Sequence, residues 1–454
     1  MLNPHIFREY DIRGRVGEDL DPGGVARIGK GFGTYARKRG AQTVVVGRDC
    51  RLSSSSFRDA LVEGVLSTGL DVFDVGVCPT PLLYFAILRF PADAGVMITG
   101  SHNPPEFNGF KLCLGPGTLY GEQVQEIRGI VEGGAFASGR GSVSVREVIP
   151  AYREYVRSNI SISRPLKVVV DAGNGTGGIV AVPLFREMGM EVVELFCDMD
   201  GRFPNHFPDP TVPENLRFLV RAVLETGADV GVGYDGDADR IGAVDERGNI
   251  LFGDSLLLLF AREILARKPG ATVISEVKAS QNLYDDIARR GGRPVMWKAG
   301  HSLIKQKMKE EAAEVAGEMS GHIFFADRFL GFDDAIYASA RLFELLADSP
   351  VPLSGMLSDL PPLVATPEIR VDCPDEEKFA VARRVAELVR PLAREVIEVD
   401  GIRALFEGGW GLVRASNTQP VLVLRFEGKD REALERIRSV MQGAVESARA
   451  GISR

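Results

Sequence analysis

Short β-branched runs recur between amphipathic stretches over about the first three-quarters of this chain, and that alternation fixes its structural class. Thr43-Val44-Val45-Val46, Gly95-Val96-Met97-Ile98, Lys167-Val168-Val169-Val170 and Asp229-Val230-Gly231-Val232 each read as a buried strand. Between such runs, apolar residues fall at helical spacing over residues 53–68, 213–226 and 281–290. Strands alternating with helices predict α/β units on parallel sheets. The chain has 454 residues, more than one core accommodates, so several domains are required.

Three stretches read as linkers. Residues 133–142 are rich in Gly and Ser, residues 248–253 separate a strand from a helix opening at Asp254, and residues 350–367 are rich in proline. Beyond the last the rhythm changes. A helix is expected over 375–389, then several strands up to Phe426, then a closing helix over 431–448, which together read as a small α+β domain with an antiparallel sheet. The expected division is four domains: 1–147, 148–250, 251–362 and 363–454.

The bulk chemistry excludes some classes. A net charge of -8 argues against a nucleic-acid partner. Cys50, Cys78, Cys113, Cys197 and Cys373 lie far apart without a CxxC pair, a pattern of free thiols in a reducing compartment. The start of the chain reaches Arg8 and Glu9 with no apolar stretch, and the apolar run 256–261 is broken by Arg262 and Glu263, so neither a signal peptide nor a membrane segment is expected. The expected location is cytoplasmic.

Four loops carry candidate chemistry. In Thr99-Gly100-Ser101-His102-Asn103-Pro104-Pro105, a tight turn lifts Ser101 off a strand end, where it can serve as nucleophile or phosphate carrier with Lys111 to neutralise an anion. The alternative is a polar turn closed by Asn-Pro. In the second loop Asp235, Asp237 and Asp239 alternate, a spacing that folds carboxylates around one hard cation, and Arg240 adds a phosphate donor. Glu246 stands at the twelfth position of an EF-hand loop, but Arg240 fills the sixth, where glycine is needed, and both flanks read as strands. A solvated acidic turn is the remaining alternative.

The third loop is Gly317-Glu318-Met319-Ser320-Gly321-His322. Glu318 and Ser320 are expected on one side of an extended segment, offering an acceptor and a hydroxyl to a polyol, while His322 reads as a base, a donor or a structural histidine. The fourth, Arg414-Ala415-Ser416-Asn417-Thr418, follows a strand and combines a guanidinium fork with hydroxyls, which suits a phosphate or a capped turn. Two other patterns compete. Residues 173–178 satisfy GxGxxG, with Asp198 twenty residues after Gly178 where a dinucleotide fold places its ribose acid, yet no hydride-transfer site accompanies them. Residues 24–30 imitate a phosphate loop but continue with Gly31 in place of Ser/Thr, and read as a helix start capped at Asp21-Pro22.

Taken in order, these loops resemble the α-D-phosphohexomutase family, and within it the phosphomannomutase/phosphoglucomutase group. The likeness begins at Phe7-Arg8-Glu9-Tyr10-Asp11-Ile12-Arg13-Gly14 and includes Phe203-Pro204-Asn205-His206 and Pro208-Asp209-Pro210. It implies three α/β domains with mixed sheets plus a C-terminal α+β domain around a central cleft. By the same resemblance Ser101 carries phosphate, and Asp235, Asp237 and Asp239 hold Mg²⁺ with the phosphoserine as a further ligand. Arg13, His102, Lys111, Arg240 and His322 join Ser101 as catalytic groups. Glu318 and Ser320 grip sugar hydroxyls beside His322, and Tyr10, Lys278 and His301 complete the cleft. Arg414, Ser416, Asn417 and Thr418 bind the phosphate that is not transferred.

The implied reaction interconverts hexose 1-phosphate and hexose 6-phosphate through a hexose 1,6-bisphosphate, which also acts as activator. Gly100 and Met319 look like the group acting on both mannose and glucose phosphates; a phosphoglucosamine mutase and a glucose-only phosphoglucomutase are the alternatives. A sugar-phosphate binding protein without catalysis fits less well, because Ser101 and all three aspartates are intact. The expected assembly is a monomer or weak homo-oligomer.

Overall fold

The computed structural model describes residues 2–416 and 419–452 of the chain. Its strands form four sheets, three mixed and one wholly antiparallel. In the first, Thr43–Arg48 runs parallel to both Asp71–Val77 and Ala94–Ile98. Phe107–Leu114 and Ile12–Arg15 then add antiparallel strands at one edge. The second sheet is centred on Lys167–Asp171 and Val230–Tyr234, the third on Thr272–Glu276 and Val315–Gly317, each pair parallel. Alternation of strands and helices therefore yields parallel centres, but hairpin returns make all three sheets mixed. Return strands such as Ile241–Asp245 pair antiparallel because only a tight turn separates them from their neighbours.

Helix signals hold with shifted ends. The helices are Ser54–Leu66, Gln281–Arg289 and Arg217–Thr226, the last preceded by a 3-10 turn Pro213–Leu216. Asp21 caps the helix Pro22–Lys38 by accepting from Gly24 N–H, so the phosphate-loop lookalike at 24–30 is a helix start. The linker candidates are partly structured. Val143–Val145 follows the Gly/Ser-rich stretch as an edge strand of the first sheet, and Ile250–Leu251 lies inside the 248–253 stretch. Among the described residues no helix is long and apolar enough to cross a membrane.

One apolar cluster runs through the first three sheets, from Val45 through Tyr152 and Val170 to Phe343 and Leu353. Tyr84 packs on Phe332 at 5.5 Å and Phe85 on Tyr152 at 5.5 Å, so the first sheet's helix Thr80–Arg89 is stitched to the units that follow. The fourth sheet, centred on Gly409–Ala415 and Val421–Gly428, has its own core beneath Lys378–Val389 and Arg431–Ile452.

That fourth unit attaches to the third through a small apolar cluster of Val277, Trp410 and Leu412 and through buried polar groups. Arg403, fully buried, donates to Val277 O and Ala279 O at 2.7 Å each and to Gln281 Oε1 at 2.9 Å. Its guanidinium lies 3.8 Å from the Trp410 ring centre, while Trp410 Nε1 and Gln281 N both donate to Glu427. Replacing Arg403 with Leu would strand two buried carbonyls, at a cost on the order of 2–4 kcal/mol. We predict a lower first unfolding transition and faster chymotryptic cleavage at Leu353, Met356 or Leu357 for Arg403→Leu, with Arg403→Lys between it and the unsubstituted protein. An unchanged transition would show that the apolar contacts alone seat the C-terminal domain.

Candidate functional site

The functional loops leave the C-terminal ends of parallel strands, where open α/β sheets place ligands. Ser101 follows Ala94–Ile98, residues 235–240 follow Val230–Tyr234, and Lys278 and Glu318 follow Thr272–Glu276 and Val315–Gly317. Ser101 sits at φ +49, a left-handed turn uncommon for a residue with a side chain. Asn103 N–H donates to Gly100 O at 3.0 Å and Ser101 N–H to Thr99 Oγ1 at 2.8 Å. The turn is held from below by Arg51, which donates to Ser101 O at 2.8 Å and Phe107 O at 2.9 Å while pairing with Asp49. Its guanidinium also covers the Phe203 ring at 4.9 Å, tying the loop at 203–206 to the serine turn.

Asp235, Asp237 and Asp239 are fully buried, and one carboxylate oxygen from each lies within 4.8 Å of the other two. Val230–Tyr234 and Ile241–Asp245 flank them as antiparallel strands, so the loop is a hairpin turn and not an EF-hand. Ser101 Oγ donates to Asp235 Oδ2 at 2.8 Å. Lys111 Nζ reaches Asp237 Oδ2 at 2.8 Å and also binds Asp239. Thr80 Oγ1 donates to Asp237 Oδ2 at 2.6 Å. Among the described residues, no donor reaches the buried acceptors Oδ1 of Asp237 and Oδ1 of Asp239. An all-oxygen set with two orphaned acceptors fits a divalent cation.

The electrostatics agree. Burial, then the charges of Asp239 and Asp237, push the Asp235 carboxyl well above the usual carboxylate range. Asp237 is equally buried, yet Lys111 and the Thr80 hydroxyl hold it well below that range. Burial opposes the charge on Lys111, but the surrounding aspartates hold it firmly as an ammonium. His102, with Nδ1 3.2 Å from Ser101 Oγ, is kept neutral by burial and by Arg240.

The GxGxxG stretch has a structural use. Thr176 N–H and Oγ1 both reach Gly236 O, at 3.0 and 3.2 Å. A Cβ on Gly175 would lie 2.5 Å from that same oxygen, so the glycine lets the two turns touch. These residues brace the acidic turn, and Asp198 contributes a carbonyl that accepts from Asn174 Nδ2 at 2.9 Å.

The third loop is a hairpin turn rather than the extended segment expected. Val315–Gly317 pairs antiparallel with Ile323–Phe325, which forces Glu318 N–H onto His322 O and Gly321 N–H onto Glu318 O, both at 2.9 Å. Glu318 and Ser320 therefore lie within one turn, and Glu318 Oε1 accepts from Gly300 N–H at 2.8 Å. His322 Nε2 accepts from Arg240 Nε at 3.0 Å, and Nδ1 lies 3.0 Å from Asp333 Oδ2. Because arginine only donates, the His322 proton belongs on Nδ1, facing Asp333. His301 stacks on His322 at 5.4 Å and meets Tyr10 edge-on at 6.3 Å.

Arg13 donates to Asp11 Oδ2 at 2.6 Å and to Asn103, which places it against the serine turn. Lys278 pairs with Glu368 at 3.3 Å and Arg414 with Asp400 at 2.9 Å, both on the C-terminal side of the cleft. Arg414 lies within Gly409–Ala415, with Ser416 just beyond it, so the strand runs further than the sequence suggests. Asn417 and Thr418 lie outside the described residues. Arg51, Thr80, Asp333, Asp400 and Glu368 were not found from the sequence, because they belong to no motif and their site contacts are tertiary.

Known proteins share this four-part organisation. Residues 4–138, 150–248, 252–364 and 368–443 match, in turn, domains I, II and III (alpha/beta/alpha) and the C-terminal domain of phosphoglucomutase/phosphomannomutase. The chain is 46% identical over 446 residues to a phosphomannomutase/phosphoglucomutase of Pseudomonas aeruginosa, covering 98% of this chain and 96% of the relative. It is 45% identical to a phosphoglucomutase of Neisseria gonorrhoeae, with 97% of each covered. The crystal structure of a phosphoglucomutase/phosphomannomutase family protein from Burkholderia thailandensis superposes with a TM-score of 0.93 at 43% identity, covering 99% of both chains.

A divalent cation that binds only the folded acidic turn should raise the unfolding midpoint, by about 2.7 kcal/mol of stability at a hundredfold excess over its Kd. Titrating Mg²⁺ or Mn²⁺ into chelator-treated protein checks this, and Asp239→Asn should abolish the rise. Equal rises in both proteins would place the cation elsewhere.

Proposed function

The chain belongs to the phosphoglucomutase/phosphomannomutase family, and from that premise we propose that it interconverts hexose 1-phosphates and 6-phosphates with Ser101 as the phosphoryl carrier. It is an isomerase, a phosphohexomutase. The observation that carries the assignment to Ser101 is its contact with the acidic turn: Oγ lies 2.8 Å from Asp235 Oδ2, with Lys111 on the other two aspartates. Phosphoryl transfer needs positioning and charge neutralisation more than covalent chemistry from the protein, and this arrangement supplies both. Asp235, Asp237 and Asp239 would hold Mg²⁺, which when bound supplies positive charge to the oxygens of the transferring group.

In the forward step the P–O bond to Ser101 breaks as one forms to the free hydroxyl of a monophosphorylated hexose, giving a 1,6-bisphosphate. The bisphosphate turns around, and its other phosphate returns to Ser101. A hydroxyl proton must leave in the first step. Lys111 is pinned as an ammonium between two carboxylates and is a poor base, whereas His322 presents an unprotonated Nε2. We assign the proton to His322, once Arg240 moves from that nitrogen to the phosphoryl group. Glu318 and Ser320 read sugar hydroxyls, with Tyr10 and His301 lining the cleft, while Lys278, Arg414, Ser416, Asn417 and Thr418 hold the far phosphate.

Glucose and mannose phosphates are the proposed substrates, with glucose 1,6-bisphosphate as the activator that loads Ser101. The near-equal identity to a relative named only phosphoglucomutase supports a glucose-only second reading. The free cysteines support a reducing, cytoplasmic setting.

A coupled assay with Mg²⁺ and a trace of glucose 1,6-bisphosphate, run on glucose 1-phosphate and mannose 1-phosphate side by side, tests the reading. Comparable turnover of both is expected, and Ser101→Ala should lower kcat by at least about a thousandfold. Turnover of glucose 1-phosphate alone would establish the second reading. Turnover of neither by a protein phosphorylated on Ser101 would overturn the choice of sugar.

A further inference from the structure

The segment Lys298-Ala299-Gly300, between the strand Arg293–Trp297 and the helix His301–Glu311, is gripped from three sides of the cleft. Tyr10 Oη donates to Ala299 O at 3.0 Å from the N-terminal domain. Gly300 N–H donates to Glu318 Oε1 at 2.8 Å within the third sheet's unit. Ala299 N–H donates to Asp400 Oδ2 at 3.1 Å, on the C-terminal domain. That same oxygen accepts Arg414 Nε at 2.9 Å. One carboxylate atom thus joins the arginine assigned to the far phosphate and the strap that fixes the carboxylate assigned to the sugar.

The backbone is built to make this contact. Gly401 has φ +74, and a Cβ there would lie 2.5 Å from Val413 O and 2.6 Å from Arg414 Cα. A side chain would lift the Asp400–Gly401 turn off the strand that carries Arg414, so the glycine is what keeps Asp400 in reach. The Asp400 and Arg414 side chains are only 13% and 8% exposed, where a charge-assisted bond is strong and its loss is costly. With Nε engaged, no hydrogen bond among the described residues holds the Nη1/Nη2 edge of Arg414, which can meet an anion.

We propose that Asp400 is a positioning residue that couples far-phosphate binding to sugar recognition: it orients Arg414 toward the phosphate and, through Ala299 and Gly300, sets Glu318 on the sugar hydroxyls. The proposal rests on the mutase reading above. It requires that the effects of Asp400 and Glu318 on catalysis be interdependent, although their side chains meet only through the strap.

The test is a double-mutant cycle on kcat and KM for glucose 1-phosphate with Asp400→Ala, Glu318→Gln and the double variant. A parallel cycle replaces Asp400→Ala with Asp400→Asn. Asp400→Ala should raise KM about tenfold with a smaller change in kcat, and Asp400→Asn should act more weakly because its amide oxygen still accepts one N–H. Adding Asp400→Ala to Glu318→Gln should cost no more than about threefold further in kcat/KM. Costs that multiply in an active enzyme would overturn the coupling and leave the mutase reading intact. An unsubstituted protein without turnover would remove both. If Asp400→Ala does not fold, the cycle run with Asp400→Asn separates interdependent from multiplying costs in the same way.

Discussion

Three carboxylates in one fully buried turn are the constraint on which this structure depends. Asp235, Asp237 and Asp239 cannot all be charged in the interior without nearby positive charge, and their own loop supplies only Arg240. The rest comes from other units. The N-terminal domain brings Lys111, the Thr80 hydroxyl and Ser101. The third sheet's unit closes over the turn by backbone bonds, Ile241 N–H to Gly321 O at 3.0 Å and Ala335 N–H to Ala238 O at 3.3 Å. The acidic turn thus explains why three α/β units share one apolar cluster: their relative placement has to be fixed before the charges can be balanced.

The attachment of the fourth unit follows a different logic. Its own core is separate; beside the small cluster of Val277, Trp410 and Leu412, its ties to the third unit are buried ion pairs and carbonyls capped by Arg403 and Arg425. Polar seams of this kind specify geometry through hydrogen bonds, which break and reform at less cost than an apolar core opens. The two cations assigned to phosphate, Lys278 and Arg414, each meet a carboxylate of this unit, Glu368 and Asp400. Both cations proposed for the far phosphate are thus held by carboxylates of the C-terminal unit, which itself carries Arg414.

Much of this was legible in the sequence wherever a spacing encodes a geometry. Runs such as Val44-Val45-Val46 and Val168-Val169-Val170 became central strands because continuous β-branched residues suit sheets covered on both faces. The alternate aspartates were readable because a hairpin turn directs them to one centre, and the strand character of both flanks ruled out the EF-hand. GxGxxG was the misleading pattern: its glycines serve close approach to Gly236, which is the same backbone property a dinucleotide fold exploits. Glu318 and Ser320 were placed on an extended segment because the pairing that bends it, Gly317 with Ile323, is a tertiary fact. Arg51, Thr80, Asp333 and Asp400 carry no local signature at all. Thr80 lies 157 residues from the aspartate it braces, and nothing near either residue announces the other.

In the proposed cycle Ser101 hands its phosphoryl group to the sugar and takes one back in each turnover. Protein labelled on Ser101 with radioactive phosphate, mixed with unlabelled glucose 1-phosphate and quenched within a single turnover, tests it directly. Label is expected to leave the protein at the rate of turnover and to appear first in the hexose bisphosphate, then in hexose monophosphate. Label that stays on Ser101 while glucose 6-phosphate accumulates would contradict it.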